Sequence, residues 1–584
     1  MNETTSRAPA VVRRWVARRA PAGADARALA AAAGVSETVA GVLAARGVGS
    51  AAEARALLNP SLAQLHDPFL MKGMREAVAR VLRAVDAGER ILVYGDYDVD
   101  GTTGTVVLRR ALEFLGARTG YHVPHRFTEG YGIRRDALER AKGEGYTLVI
   151  SVDCGIRAFE PLEWARDNGL DVIITDHHLP DDQEGSPPAY AVLNPNQRGC
   201  AYPDKNLAGV GVAFKLAHAL FHERGRESLA PGFLKVVAIG TVADVAQLTG
   251  ENRAIVSLGL KDLPRATNPG LRALMEVAGC GGGEGMRAFD IGFRLGPRIN
   301  AAGRMDAARA VVELFEAKSM EEARALAERL DARNRERREV QQQVTERAVA
   351  ESELGGEGGG DSVVVVAGDG WHRGVIGLAA SKIAERLQRP AVVISLDEDG
   401  LGHGSARSGD GFHMLDALTA CADLLEAFGG HAHAAGLAVR RENVAPLRRR
   451  LNEHAASLVG GGVDAGGPGL AYDLELAPEA LGLDLCAELE ALEPFGAGWP
   501  RPVFVTRGLR VVGEPRVLKG RHLKFGVMAG GRVHDCIWWG GAEREAATPG
   551  PGARIELAYS VEANCWNGST RLQLVVEDLK EGDG

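Results

Sequence analysis

Cysteine is scarce and scattered in this chain: seven among 584 residues, an odd number with no Cys-x-x-Cys pair. That excludes a disulfide framework, offers no zinc module, and fits a reducing, cytoplasmic setting. Long apolar runs are missing too, and none reaches the roughly 18 residues that a membrane span needs. The start, "MNETTSRAPAVVRRWVARRAPAG", is rich in arginine but has no continuous apolar stretch. It is therefore not a secretory signal, and a frayed, solvated end is expected there. Nor does an excess of positive charge mark a nucleic-acid binder, since the formal net charge is −9. That average does not decide the matter. A cluster of metal-binding carboxylates adds negative charge, while a basic groove elsewhere still attracts phosphates.

What is present is an ordinary globular composition, 45% hydrophobic and 25% charged, on a chain long enough for several domains. Two glycine-rich breaks, "GGEGGGD" (355–361) and "GGGVDAGGPG" (460–469), read as linkers. The first 300 residues alternate apolar strands with helical patterns, the signature of a doubly wound α/β domain with a parallel sheet. From Gly303 to about Leu354 the chain is rich in Ala, Glu, Arg and Leu and has no proline. It reads as helical, ending in a long charged helix that bridges two domains as a solvated spacer. Residues 361–458 repeat the strand–helix alternation on a smaller scale, and short alternating strands after 470 predict a small all-β barrel or sandwich. The expected divisions are 1–302, 303–358, 359–460 and 468–584.

The strand ends carry the chemistry. "ILVYGDYDVDG" ends in Asp96, Asp98 and Asp100, "TLVISVDCG" in Asp153, and "DVIITDHH" in Asp176, His177 and His178. The apolar helical stretch "FLKVVAIGTVADV" runs into Asp244. An aspartate after a strand is usually a turn residue or a helix cap. Two carboxylates 4 Å apart repel by roughly 4 kcal/mol at an effective dielectric near 20. In an open parallel sheet, ligands bind beyond the carboxyl ends of the strands. Acidic and imidazole groups gathered there from distant segments call for divalent cations. Mixed oxygen and imidazole ligands suit manganese, with magnesium a substitute. Two ions sharing an aspartate would clamp an in-line phosphoryl displacement and acidify a water, so the chemistry implied is phosphoester or phosphoanhydride hydrolysis.

In this order, "DYDVDG", "SVDCG", "TDHH" and "GTVADV" resemble the DHH phosphoesterase superfamily. Further segments narrow the resemblance to the RecJ single-stranded-DNA exonucleases: "VPHRFTEGYG" (123–132), "NLAGVGVAFKLA" (206–217), "GPRINAAGRM" (296–305), "GWHRGVIGLAASKIAERLQRP" (370–390), "GSARS" (404–408) and "GGHAHAAGL" (429–437). The "GVG" at 209–211 looks like a helix start rather than a dinucleotide site. The resemblance implies a DHH domain joined by a long helix to a smaller α/β DHH-associated domain, then a C-terminal OB-fold. It implies metal ligation by Asp98, Asp100, Asp153, His177 and Asp244, with Asp96 a ligand or a neighbour of one. His178 would face the scissile phosphate, and Asp176 would orient a neighbouring group. Substrate binding would fall to Arg126, His178, Arg298, Asn300, Ser405, Arg407 and His431. "GSARS" is expected to offer backbone N–H groups together with its hydroxyl and guanidinium.

The implied activity is hydrolysis of single-stranded DNA from the 5′ end to mononucleotides with Mn2+ or Mg2+, in repair and recombination. The implied partners are single-stranded DNA, a helicase and a single-strand-binding protein, with no membrane and a monomeric chain. The basic segment 501–524 would hold phosphates, and Phe504, Phe525, Trp538 or Trp539 would stack on bases. Two positions depart from the family pattern: Trp499 stands where Asn is common, and His403 where Lys is frequent. Other readings stay open. One is a DHH phosphohydrolase of short oligoribonucleotides, cyclic dinucleotides or pyrophosphate, and another a non-catalytic replication scaffold. A receiver domain also gathers aspartates at strand ends but has no use for the histidine pair.

Overall fold

The computed structural model describes residues 13–19, 25–181, 183–280, 285–305, 308–353, 361–409, 411–459, 469–543, 548–566 and 568–582. The chain divides into two compact units. One holds Asp67–Asp244 and Gly259–Ala465; the other holds Met1–His66, Val245–Leu258 and Gly466–Gly584. The two glycine-rich breaks lie almost wholly outside the described residues.

The first unit contains β1 (Arg90–Tyr94), α1 (Val99–Phe114), β2 (Arg118–His122), β3 (Tyr146–Val152), β4 (Asp171–Thr175) and β5 (Ala191–Leu193). The strands form one all-parallel sheet in the order β2-β1-β3-β4-β5, a doubly wound arrangement. Central strands covered on both faces read as continuous apolar runs rather than alternation. Thus Ile91–Tyr94, Leu148–Val152 and Val172–Thr175 are buried throughout. Helices α2 (Gly209–Glu223), α3 (Leu234–Ala243) and α4 (Gly296–Arg304) follow. The helix start expected at Gly209 is where α2 begins.

A 34-residue helix, α5 (Met320–Glu353), leads towards the next sheet. It is not the solvated spacer that its composition suggests. Ala323, Ala327, Leu330, Val344, Ala348 and Val349 are buried, and Val344 and Ala348 share a core with the strands that follow. A charged average conceals a narrow alanine–valine stripe of this kind.

That second sheet contains β6 (Val364–Asp369), β7 (Ala391–Leu396), β8 (Leu401–Arg407), β9 (Leu425–Gly430) and β10 (Ala434–Arg440), with α6 (Arg373–Leu387) after β6. Its order is β9-β10-β8-β7-β6, and only β6 and β7 run parallel. The "GSARS" segment lies in β8, the central strand, with Ser405 paired to Val393 on one side and Gly436 on the other. Its backbone N–H groups are therefore taken up by the sheet, which corrects the expectation of a backbone anion cradle there. Period-two alternation leaves the side chains of His403, Ser405 and Arg407 on one face. Residues of α6 and α4 meet where Arg304 donates from Nη1 to the Gly374 carbonyl at 3.1 Å. A Cβ on Gly374 would lie 2.5 Å from the Arg304 carbonyl oxygen, so the close approach needs glycine.

In the other unit, β11 (Leu474–Glu475) leads to a closed five-stranded barrel. Its strands are β12 (Phe504–Leu518), β13 (His522–Ala529), β14 (Arg532–Trp538), β15 (Arg554–Trp566) and β16 (Ser569–Glu581). Closure comes from the pairing of β12 with both β13 and β15. The N-terminal segment belongs here rather than with the first sheet. Trp15–Ala17 pairs with Leu470–Tyr472, and Leu29, Val39 and Leu43 share one core with Phe504, Phe525 and Trp538. Arg253 joins the same unit by donating to the carbonyls of Leu492, Glu493 and Pro494. Trp499 is buried among these, its Nε1 donating to the Leu492 carbonyl at 3.0 Å, with the guanidiniums of Arg46 and Arg253 over its ring. This departure from the family pattern thus fills a core. Of the aromatics considered for stacking, Phe504, Phe525 and Trp538 are core residues, and Trp539 alone is exposed, at 59%.

Candidate metal centre

Three groups of ligand-bearing side chains lie together at the carboxyl edge of the parallel sheet. They are Asp96, Asp98 and Asp153; Asp153, His177 and His178; and Asp100, His177 and Asp244. Within each group one ligand atom per residue falls within 4.8 Å of the others. Asp153 and His177 each belong to two groups, so the three merge into one cluster. His177 Nε2 is 3.2 Å from Asp153 Oδ1, 3.7 Å from Asp100 Oδ2 and 3.9 Å from Asp244 Oδ2. Every residue that the sequence proposed as a ligand is in it.

Local backbone chemistry places these groups. Asp98 caps α1, accepting from the Gly101 N–H at 3.0 Å. Asp100, two residues on in the first turn, accepts from the first amides of α2: Gly209 N at 2.6 Å and Val210 N at 2.7 Å. The positive end of α2 thus offsets part of one of the three crowded charges. Asp153 sits in the left-handed region at φ +62°, a conformation an aspartate tolerates better than most residues and one that recurs at functional sites. Asp244 caps the C-terminal end of α3.

Asp176 does a different job. It accepts from Ile156 N, His177 N and His178 N, and its Oδ1 lies 2.8 Å from His178 Nδ1. Against the burial that would raise it, these bonds hold its carboxyl below the usual range. A proton on His178 Nδ1, donated to Asp176, leaves Nε2 available on a ring that is 46% exposed. Tyr131 braces this pair: its hydroxyl donates to the Asp153 carbonyl at 3.1 Å and lies 3.1 Å from His178 Nδ1. Tyr131 was not singled out from the sequence, although its segment was.

The donor set fits a divalent cation. Among the described residues, Asp96 Oδ1 and Asp153 Oδ1 are buried carboxylate oxygens with no hydrogen-bond partner. Such atoms are costly unless an ion or a donor meets them. Burial and neighbouring carboxylates push Asp96 up to about 8 and Asp244 up to about 9, and Asp100 and Asp153 also rise. Positive charge between them reverses the sign of that effect.

Beside the acids stands a group of arginines. Arg126 lies over the Tyr97 ring at 4.7 Å. Burial, then Arg126, Arg337 and Arg407, push the Arg304 guanidinium down to about 10 against the pull of Asp98. Arg407 Nη1 donates to Ser405 Oγ at 3.0 Å, and both residues pack against Gly377 of α6. His431 follows Gly430, whose row in the sheet includes Ala435 and Ala406, so it lies at the same sheet end as Arg407. Arg298 and Asn300 are engaged with other protein groups. Arg298 pairs with Asp331 at 2.9 Å, and Asn300 Oδ1 accepts from Val99 N at 3.2 Å, bracing the start of α1. The arginine of this motif that reaches the others is Arg304, for which the sequence offered only its place in the quoted segment.

A parallel sheet whose carboxyl edge gathers these aspartates and histidines, beside an arginine cluster to which a second domain contributes Arg407, defines a metal-dependent phosphoesterase of the DHH class. Residues 90–241 match the family model described as DHH family, N-terminal domain, residues 360–457 the DHHA1 domain, and residues 472–578 the RecJ OB domain. The chain belongs to the RecJ family. It is 38% identical to the single-stranded-DNA-specific exonuclease RecJ of Bacillus subtilis over 93% of this chain and 68% of the relative. Its identity to that of Escherichia coli is 36%, over 92% of this chain and 94% of the relative. The crystal structure of RecJ in complex with Mn2+ from Thermus thermophilus is similar with a TM-score of 0.82 and 31% identity, over 98% of this chain and 80% of that one. The Mg2+ complex from the same organism gives a TM-score of 0.76 and 30% identity, over 98% of this chain and 79% of that one. Among the described residues no single helix is long and apolar enough to cross a membrane.

Proposed function

We propose that this chain removes nucleotides from the 5′ end of single-stranded DNA, with manganese or magnesium held by Asp96, Asp98, Asp100, Asp153, His177 and Asp244. The observation that carries the reading is the acidic cluster, with its two orphaned carboxylate oxygens, lying beside the arginine group within one unit. Two bound ions sharing Asp153 would supply charge neutralisation at the phosphate and an acidified water.

The chain's own residues do the rest. His178, aligned by Asp176 and Tyr131, presents its ring towards the scissile linkage as donor or acid. Arg126, Arg304 and Arg407, with Ser405 and His431, hold the terminal phosphate, since guanidinium forks match phosphate oxygens. Arg298 and Asn300 act on the substrate through the loop and helix that they brace. The match of residues 472–578 to the RecJ OB domain favours a polymeric substrate over short oligoribonucleotides or pyrophosphate. A cytoplasmic role in repair and recombination, acting as a monomer with a helicase and a single-strand-binding protein, accords with the family.

Digestion of end-labelled 20-mers, single- and double-stranded, with Mn2+ and Mg2+ compared, tests this directly. Label at the 5′ end should appear at once as mononucleotide, while 3′ label remains in long products until late. Early release of 3′ label, or cleavage of dinucleotides alone, overturns the reading. Arg407→Ala should raise KM about tenfold and remove any preference for a 5′-phosphate over a 5′-hydroxyl end, as loss of one charge-assisted contact predicts. Tyr131→Phe should lower kcat roughly three- to tenfold with KM nearly unchanged, because it loosens a general acid without touching the substrate. Steady-state kinetics on the same 20-mer separate the two.

A further inference from the structure

Phe289 and Phe293 are 56% and 71% exposed, yet their rings stack on one another with centroids 4.6 Å apart and planes 24° apart. They lie one turn apart on the helical run that leads into α4: Ala288–Asp290, then a π-helical turn Ile291–Leu295. The run has an ordinary buried stripe, Ala288, Ile291 and Leu295, so the two rings are not its core contribution. An amphipathic helix normally puts polar side chains where these stand. A π-turn inside a helix is itself frequent at functional sites.

The position of the run gives the pair a purpose. A Cβ on Gly292 would lie 3.8 Å from Val242 Cγ1, and one on Gly296 3.2 Å from Ala243 Cβ. The run is therefore seated against the last turn of α3, the turn that ends in Asp244. Its other end delivers Asn300 to the start of α1 and Arg304 to the neighbourhood of Asp98. Arg287 and Arg294 are exposed on the same run, and Arg294 pairs with Asp290 at 3.1 Å. Two rings are too small a footprint for a protein partner, which needs roughly 800 Å2 a side. An exposed aromatic face on a run that also carries two exposed arginines suits a nucleobase and its phosphates, and such stacking is indifferent to sequence.

We propose that the Phe289–Phe293 stack is a platform for bases further along the DNA strand, beyond the two that flank the linkage being cut, with Phe293 the outer, base-contacting ring. The inference rests on the polymer-digesting reading above. It makes the pair a determinant of substrate length rather than of the chemical step.

The test uses the full-length chain with Mn2+, a 20-mer, and a dinucleotide too short to span both the cluster and the platform. Phe293→Ala should raise KM for the 20-mer about tenfold, the scale of one lost stacked base. It should leave kcat and dinucleotide hydrolysis within twofold, and Phe293→Trp should restore KM. A 2-aminopurine placed along the 20-mer should lose its fluorescence quenching in Phe293→Ala at one or two adjacent positions only. Unchanged KM and quenching in Phe293→Ala, or an equal loss on both substrates, overturns the platform while leaving the nuclease reading intact. Failure of the unsubstituted chain to digest the 20-mer at all overturns the nuclease reading, and the platform with it.

Discussion

Asp153→Asn should cut single-strand digestion by about a thousandfold or more, and should not lower the melting temperature in chelator. Asp153 belongs to two of the three ligand groups, and its Oδ1 is buried with no hydrogen-bond partner. Removing its charge removes a ligand common to both groups, and metal stabilisation of a phosphoryl transition state is worth several kcal/mol. Asparagine tolerates the φ of +62° that this position imposes, so the backbone is spared. In chelator the substitution removes a buried carboxyl crowded by other acids, whose ionised form is itself destabilising. Adding Mn2+ should raise the melting temperature of the unsubstituted chain and leave the variant nearly unmoved. Digestion by the unsubstituted chain in excess chelator would sink the assignment, as would an active variant.

Gly209→Ala is the second large effect, expected to reduce activity about a hundredfold and stability by roughly 1–3 kcal/mol. The added Cβ would stand 2.7 Å from both Cβ and Oδ1 of Asp153 and 2.9 Å from Asp100 Oδ2. Neither carboxylate can yield freely. Asp100 is held by two amides of α2, and Asp153 is buried at a constrained backbone angle. A displacement of a few tenths of an ångström at both ligands should also weaken Mn2+ binding, which titration can measure. Gly211→Ala on the same helix is the control. Its Cβ would approach Leu207 no closer than 3.4 Å, and a helical Gly→Ala exchange ordinarily gains about 0.5–1 kcal/mol. If both variants behave alike, the close approach of α2 to the cluster is not what matters.

Much of this site could be read in the sequence because a parallel sheet has a simple rule. Its strands point their carboxyl ends one way, so acidic residues just after apolar runs must share an edge. Asp96, Asp98, Asp100, Asp153, His177 and Asp244 were placed by that rule and by the order of their motifs, and the geometry assembles all of them. The substrate side was less legible. Arg298 and Arg304 stand in one motif, and nothing local says which will be neutralised; Asp331, on another helix, pairs with Arg298. Likewise, glycine and serine in "GSARS" suggest a loop, whereas pairing with strands on both sides makes it a central strand.

The sequence alone determined the class of chemistry, the residue types of the candidate metal centre and the succession of three domain types, because periodicity and residue type act over short spans. Only tertiary structure decided which faces of α5 are buried, that the N-terminal segment shares the core of the barrel, that three of the four candidate stacking aromatics of the barrel are buried, and that Arg304 reaches the acids. Those outcomes depend on partners tens to hundreds of residues away, and a side chain's role there follows from what packs against it.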